Sequence, residues 1–151
     1  MTPPEARERV GAPHGRRILA AAIDFFLVSG GITAALAVLR LAANRFAPPA
    51  YEDAWPESNA HLLGTALTEA AVYWLYFTLL EASERQATVG QRALRLRVVG
   101  ETGARVSRRR AAARALARLL LAPGVLAALR DARRRTLHDA VTRTWVIADE
   151  R

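Results

Sequence analysis

Two acids stand inside stretches that are otherwise oily, and they are the side chains of this sequence best placed to do chemistry. Asp24 lies in an apolar block from Ile18 to Ala43, whose only other ionisable residue is Arg40. Glu69 is the only acid of a second block, His61 to Leu80. An ionised aspartate near the middle of a membrane helix costs roughly 2.5–3.5 kcal/mol, so it should face protein or water and have a partner. Asp24 therefore has three readings. It can tether elements through an arginine, with Arg114 or Arg118 reaching it from a later helix. It can hold a cation or exchange a proton, because burial raises a carboxyl pKa. It can take part in lipid recognition. By the helical rise, Asp24 lies about 9 Å into its block and Glu69 about 17 Å from the inner end of its own, depths that would suit a carboxylate ladder.

Other side chains are weaker candidates. His138-Asp139 has the look of a catalytic pair, but no nucleophile motif accompanies it. The competing reading is a cap before a terminal strand, with Asp139 paired to Arg134 or Arg135. His14, His61 and His138 are too scattered to suggest a metal site. Cysteine is absent, which excludes disulfides and thiolate zinc sites. Neither a metal nor a cofactor is expected. Arg110, Arg114 and Arg118 recur every fourth residue and share one helix face, as ion-pair or lipid contacts.

The elements that must position these groups follow from the distribution of oil and charge. The chain has 151 residues and a net charge of +8. No lysine occurs, so all 22 basic residues are arginines. Residues 1–15 are rich in proline, glycine and charge, and read as a flexible tail. Each of the two apolar blocks approaches or exceeds the roughly 20 residues that cross a bilayer core. They predict membrane helices over 18–41 and 61–81. Between them, Pro48, Pro49 and Pro56 with three acids mark a loop. Tyr73, Trp74, Tyr76 and Phe77 crowd one end of the second helix, as in an interfacial aromatic belt. Leu94, Leu96 and Val98 alternate with Arg95 and Arg97, which is strand period. Gly100 to Gly103 reads as a turn and Ala104 to Ser107 as a return strand, without any phosphate-loop fingerprint. A third helix, 108–130, is interrupted by Pro123-Gly124 and suits a membrane surface better than a span. Thr144 to Ile147 reads as a last strand able to pair near Leu94 to Val99.

Arginine placement sets the expected topology. Arg7, Arg9, Arg16 and Arg17 precede the first helix, and eight arginines from Arg85 to Arg110 follow the second. The loop between holds only Arg45. Basic loops stay on the cytoplasmic side, so both termini are expected inside. A third crossing would strand Arg130, Arg133, Arg134, Arg135 and Arg143 outside. The expected fold is an all-α membrane protein: a two-span helical hairpin, an amphipathic interfacial (or third membrane) helix, and a small cytoplasmic β-hairpin or sheet.

Three stretches of the sequence resemble the RDD family of integral membrane proteins. They are Arg16-Arg17-Ile18-Leu19-Ala20-Ala21-Ala22-Ile23-Asp24, then Val89-Gly90-Gln91-Arg92 with Leu96-Arg97-Val98-Val99, and finally Arg135-Thr136-Leu137-His138-Asp139. Val89 stands where many members carry proline, and Ala140-Val141 where an arginine and an apolar residue are usual. The resemblance covers 16–148 as one domain and implies that Arg17, Asp24 and Asp139 are the residues for which the family is named. It implies a cell-membrane location and no single activity: transport has been proposed for the family, and some members resemble accessory subunits.

Two function classes follow. One is a transport-related protein, cation- or proton-coupled. Two spans alone enclose no path, so it would need a homo-oligomer or a partner. The other is an accessory or assembly subunit docked on a larger membrane partner and on anionic lipid. The arginines between Arg108 and Arg118 are interleaved with leucine, which favours lipid over nucleic acid as their partner. No catalytic constellation is visible, so no enzyme is expected.

Overall fold

The computed structural model describes residues 11–46, 59–121 and 135–149. In chain order these form α1 (His14–Phe46), α2 (Asn59–Glu81), α3 (Val89–Ala93), β1 (Leu96–Gly100), α4 (Arg108–Leu120), α5 (Leu137–Val141) and β2 (Thr144–Ala148). The expected tail before residue 11, the proline loop over 47–58 and the Pro123-Gly124 interruption lie outside the described residues.

α1 and α2 are long and apolar enough to cross a membrane, and little of either is covered by the rest of the chain. α1 starts four residues before the expected Ile18 and runs five beyond residue 41. At about 1.5 Å per residue its 33 residues reach roughly 50 Å, well beyond a bilayer core of about 30 Å. Its first turn is held in the fold. Ala12 is buried, and its N–H donates to the Val146 carbonyl at 2.8 Å. Residues 11–15, expected to belong to a flexible tail, are therefore part of the fold.

The small elements pack at one end of the two long helices. β1 and β2 pair antiparallel, with Val98 opposite Val146. The pairing of the last strand with the Leu96 region thus matches the alternation in the sequence, but the return strand over Ala104 to Ser107 does not form. Gly100 donates to the Ala104 carbonyl at 2.9 Å, which closes a tight turn, and Val106 then enters the core. The other edge of β1 is already occupied: Val98 donates to the Gln86 carbonyl at 2.7 Å, and Gln86 Nε2 donates to the Val98 carbonyl at 3.1 Å. Gln86 and Ala12 cover the two outer edges, which leaves little open ladder for a stray strand.

A local pattern occurs twice. Thr88 precedes α3 and Thr136 precedes α5, each helix having five residues. Leu94 and Thr142 end them, Arg95 and Arg143 follow with φ of 51°, and a five-residue strand begins. The left-handed conformation closes each helix and turns the chain into its strand. Because Val98 faces Val146 at the middle of both strands, the two units are related by an approximate two-fold axis.

α4 is amphipathic in an inverted sense. Ala111, Arg114 and Ala115 are buried, while Leu116 and Leu120 are 50% and 72% exposed. The described helix has 13 residues, about 20 Å, which is too short to cross a bilayer core. The remainder of the expected 108–130 helix lies outside the described residues.

Candidate functional site

The buried polar side chains gather where α1, α2 and α4 meet the two small units. They form two nodes, each built around carboxylates that local sequence positions precisely.

The first node is Asp24. Its side chain is 1% exposed. Oδ1 accepts from the Tyr76 hydroxyl and from the Gly90 N–H, both at 2.7 Å. Oδ2 accepts from the Thr88 hydroxyl at 2.6 Å. The Tyr76 oxygen in turn accepts from the Val89 N–H at 3.1 Å. Thr88 is preorganised by a capping box: its N–H donates to Gln91 Oε1 at 2.9 Å and its hydroxyl accepts from the Gln91 N–H at 3.2 Å. Gly90 is required by proximity, since an added Cβ would overlap the Ala20 carbonyl oxygen and lie 2.9 Å from Asp24 Cγ. Asp24 therefore clamps α3 onto α1. The expected arginine tether to Asp24 is not formed. Neutral donors take that place because Arg114 is drawn to two other acids.

The second node is a chain of ions. Arg114 is fully buried, donates through Nε to Glu81 Oε2 at 2.9 Å, and pairs through Nη1 with Asp139 Oδ1. Nη1 also reaches the Thr144 hydroxyl at 2.6 Å. Glu81 Oε1 accepts from Gln91 Nε2 at 2.9 Å and from Arg118 at 3.2 Å. Asp139 Oδ2 accepts from the Thr136 N–H at 3.0 Å and pairs with Arg17. Among the described residues, two carboxylates thus face three guanidiniums in this node. Taking ions out of water is costly, and the mutual pairing and added hydrogen bonds offset that cost only if the geometry is kept. Burial opposes ionisation of Asp139, yet Arg114 and Arg17 override it and hold the carboxyl well below its usual range. Burial, followed by the repulsion of Arg114 and Arg118, pushes His138 down to about 2. His138 is therefore neutral and bonded to the Thr136 hydroxyl at 2.8 Å. The Asp139 carboxyl is thus committed to Arg17 and Arg114. Asp139 is the third residue of α5 and takes part in its capping box through the Thr136 N–H, while its ionic partners come from α1 and α4. Of the neighbours expected to pair with it, Arg134 lies outside the described residues.

Arg17, Asp24 and Asp139 are thus brought to one end of the fold, although Asp24 belongs to a different node from the other two. Arg114 and Arg118 both make ion pairs, Arg114 fully buried and Arg118 on the wall of a pocket. Arg110 is exposed and stands outside the cluster. Glu69 is half-buried on α2 and is not on the pocket that Asp24 lines. The aromatics are not simply a belt. Tyr76 binds Asp24, Trp74 Nε1 donates to the Ala112 carbonyl at 3.0 Å, and Phe77 is buried with Arg118 4.1 Å above its ring. Glu81, Thr88 and Gln91 were not singled out by sequence reasoning. The Thr88-x-x-Gln91 capping pattern was the available signal.

A pocket of about 170 Å³ opens between the two nodes, bounded by α1, α4, α5 and the sheet. Asp24, Gln91, Arg17, Arg118, Thr136 and His138 supply its polar groups.

Two long oily helices, capped at one end by a buried ionic cluster and a two-stranded sheet, make a mostly helical protein with two candidate membrane-spanning helices. The chain belongs to the RDD family, whose sequence model matches residues 12–143. No curated protein and no solved structure matches it.

Proposed function

We propose that this chain is a two-span protein of the cell membrane, with both termini inside, and that it serves as an assembly module in a homo-oligomer or a larger membrane complex. The membrane reading is supported by α4, which turns Arg114 inward and Leu116 and Leu120 outward. Such a face is unfavourable in water and natural against lipid. The assembly reading rests on one observation above all. Asp24 is covered by three neutral donors, and Glu81 and Asp139 are bound to arginines. These acids weld elements together. Meanwhile Gly30, Gly31 and Gly64 have open space above them on the two long helices. Small residues of this kind let a neighbouring helix approach closely.

Gentle detergent extraction of the full chain followed by native mass measurement tests this. A homo-oligomer or a stoichiometric larger partner is expected, and a strictly monomeric species defeats the reading.

A second reading, cation- or proton-coupled transport, is favoured by the position of Asp24 on the wall of the pocket. Asp24→Asn separates the two. Transport predicts a folded variant without cation flux in proteoliposomes. The assembly reading predicts a destabilised variant, because an amide cannot accept from three donors without presenting its own N–H to one of them.

A further inference from the structure

We propose that the pocket between the two nodes binds the phosphate headgroup of an anionic phospholipid from the adjoining leaflet. The proposal rests on the membrane placement given above, but it is independent of whether the protein assembles or transports.

Charge is the first argument. Arg118 hydrogen-bonds the protein through Nη2 alone, to Glu81, and its ring contact with Phe77 uses the guanidinium face. Four of its five N–H donors therefore have no acceptor among the described residues. Its side chain keeps 24% of its exposure and lines the pocket. Arg17 lines the same wall beside the Thr136 hydroxyl. Of the other titratable groups on the wall, His138 is neutral and Asp24 has both oxygens covered by donors, while His14 stands at the start of α1. The open guanidinium donors of Arg118, with the Thr136 hydroxyl on the same wall, suit a ligand rich in acceptor oxygens, and a guanidinium fork matches a phosphate.

Shape and depth are the second. A volume of about 170 Å³ holds roughly six waters' worth of atoms, enough for a phosphate with part of its glycerol. The remaining wall is apolar, from Ile18, Ala21, Leu96 and Val146. Ile18 and Ala21 are also exposed on the outer face of α1. A ligand seated here has an oily exit along that helix. The pocket extends along α1 from His14 to Asp24, about 15 Å of rise, which spans the headgroup layer and the start of the acyl region.

The test reconstitutes the full chain in bilayers of equal phosphatidylcholine and phosphatidylglycerol, extracts it gently, and measures retained lipid by native mass spectrometry. Retention of phosphatidylglycerol over phosphatidylcholine is expected. Arg118→Gln should lower that preference about tenfold, and Arg109→Gln, at an exposed position, should leave it unchanged. Ala21→Trp fills the mouth of the pocket without removing an ion pair, so it decides the matter if Arg118→Gln fails to fold. Equal retention of the two lipids, or full preference in the Ala21→Trp chain, overturns the site. So does complete displacement of the lipid by inorganic phosphate, which would make the pocket a free-anion site. The same spectra report oligomeric mass, so loss of lipid preference with assembly intact refutes this site alone.

Discussion

Gln91 and Asp139 occupy the same position of two short helices, and both reach the Glu81–Arg114 ion pair, one from each side. Gln91 Nε2 donates to Glu81, and Asp139 accepts from Arg114. Each also reaches back to the N–H of the threonine that starts its helix. The two-fold pairing of β1 with β2 thus delivers two equivalent polar side chains onto one buried pair. The cluster is a clasp: α2 and α4 supply its centre, the two small units supply its arms, and α1 closes it through Arg17.

Arg114 should be the least replaceable residue of the described chain. Removing it leaves Glu81 and Asp139 buried without their shared cation. Arg114→Leu is expected to cost about 3–5 kcal/mol. Arg114→Lys should recover only part of this, because one ammonium cannot span two carboxylates as a guanidinium does. Thermal unfolding in detergent micelles measures both. A lysine variant as stable as the parent would contradict the clasp.

Gly90→Ala should destabilise by roughly 1–3 kcal/mol, the usual range for overpacking. The added methyl meets the Ala20 backbone and the Asp24 carboxyl, neither of which is free to move. Gly15→Ala is the control, since nothing lies within 4 Å of its Cβ position. Equal stability of the two variants would disprove the tight approach of α3 to α1.

Stability should fall on mild acidification. His138 has a folded pKa of about 2, below the 6.5 of an unfolded histidine. Below pH 6.5 the unfolded chain takes up a proton that the native chain refuses, which favours unfolding by up to about 1.4 kcal/mol per pH unit. Asp139 is also depressed, so its contribution is complete above the ordinary carboxyl range and declines only as pH falls through and below it. The loss between pH 6.5 and 4.5 should therefore belong to the histidine. His138→Gln should flatten that part of a stability–pH profile and leave the steeper fall at lower pH. A profile unchanged by the substitution would show that His138 is not buried neutral.

Thr88→Val removes one donor to Asp24 and one half of the α3 capping box. About 1–2 kcal/mol of destabilisation is expected. Combining it with Asp24→Asn should cost less than the sum of the two, because both break one bond. Strict additivity in that double-mutant cycle would argue against the contact.

The sequence by itself determined the long elements. Uninterrupted apolar runs can only be buried helices or membrane helices, and α1 and α2 differ from the expected spans by a few residues at their ends. The alternation at Leu94 to Val98 and the run Thr144 to Ile147 also announced their strand pairing, since period two is a local property. The capping role of Asp139 was visible for the same reason. What only the tertiary structure decided is which charges meet. Glu81 sits at the edge of an oily block and reads like the first residue of a polar segment, yet it is completely buried. Arg114 belongs to an arginine stripe that looks lipid-facing, yet the inward side of α4 is the charged one. Asp24 takes hydroxyl and amide donors because its candidate arginines are claimed by acids on α2 and α5. Pairing among distant ions depends on relative helix placement, and that placement is fixed by contacts such as Gly90 on Ala20, which no local pattern encodes.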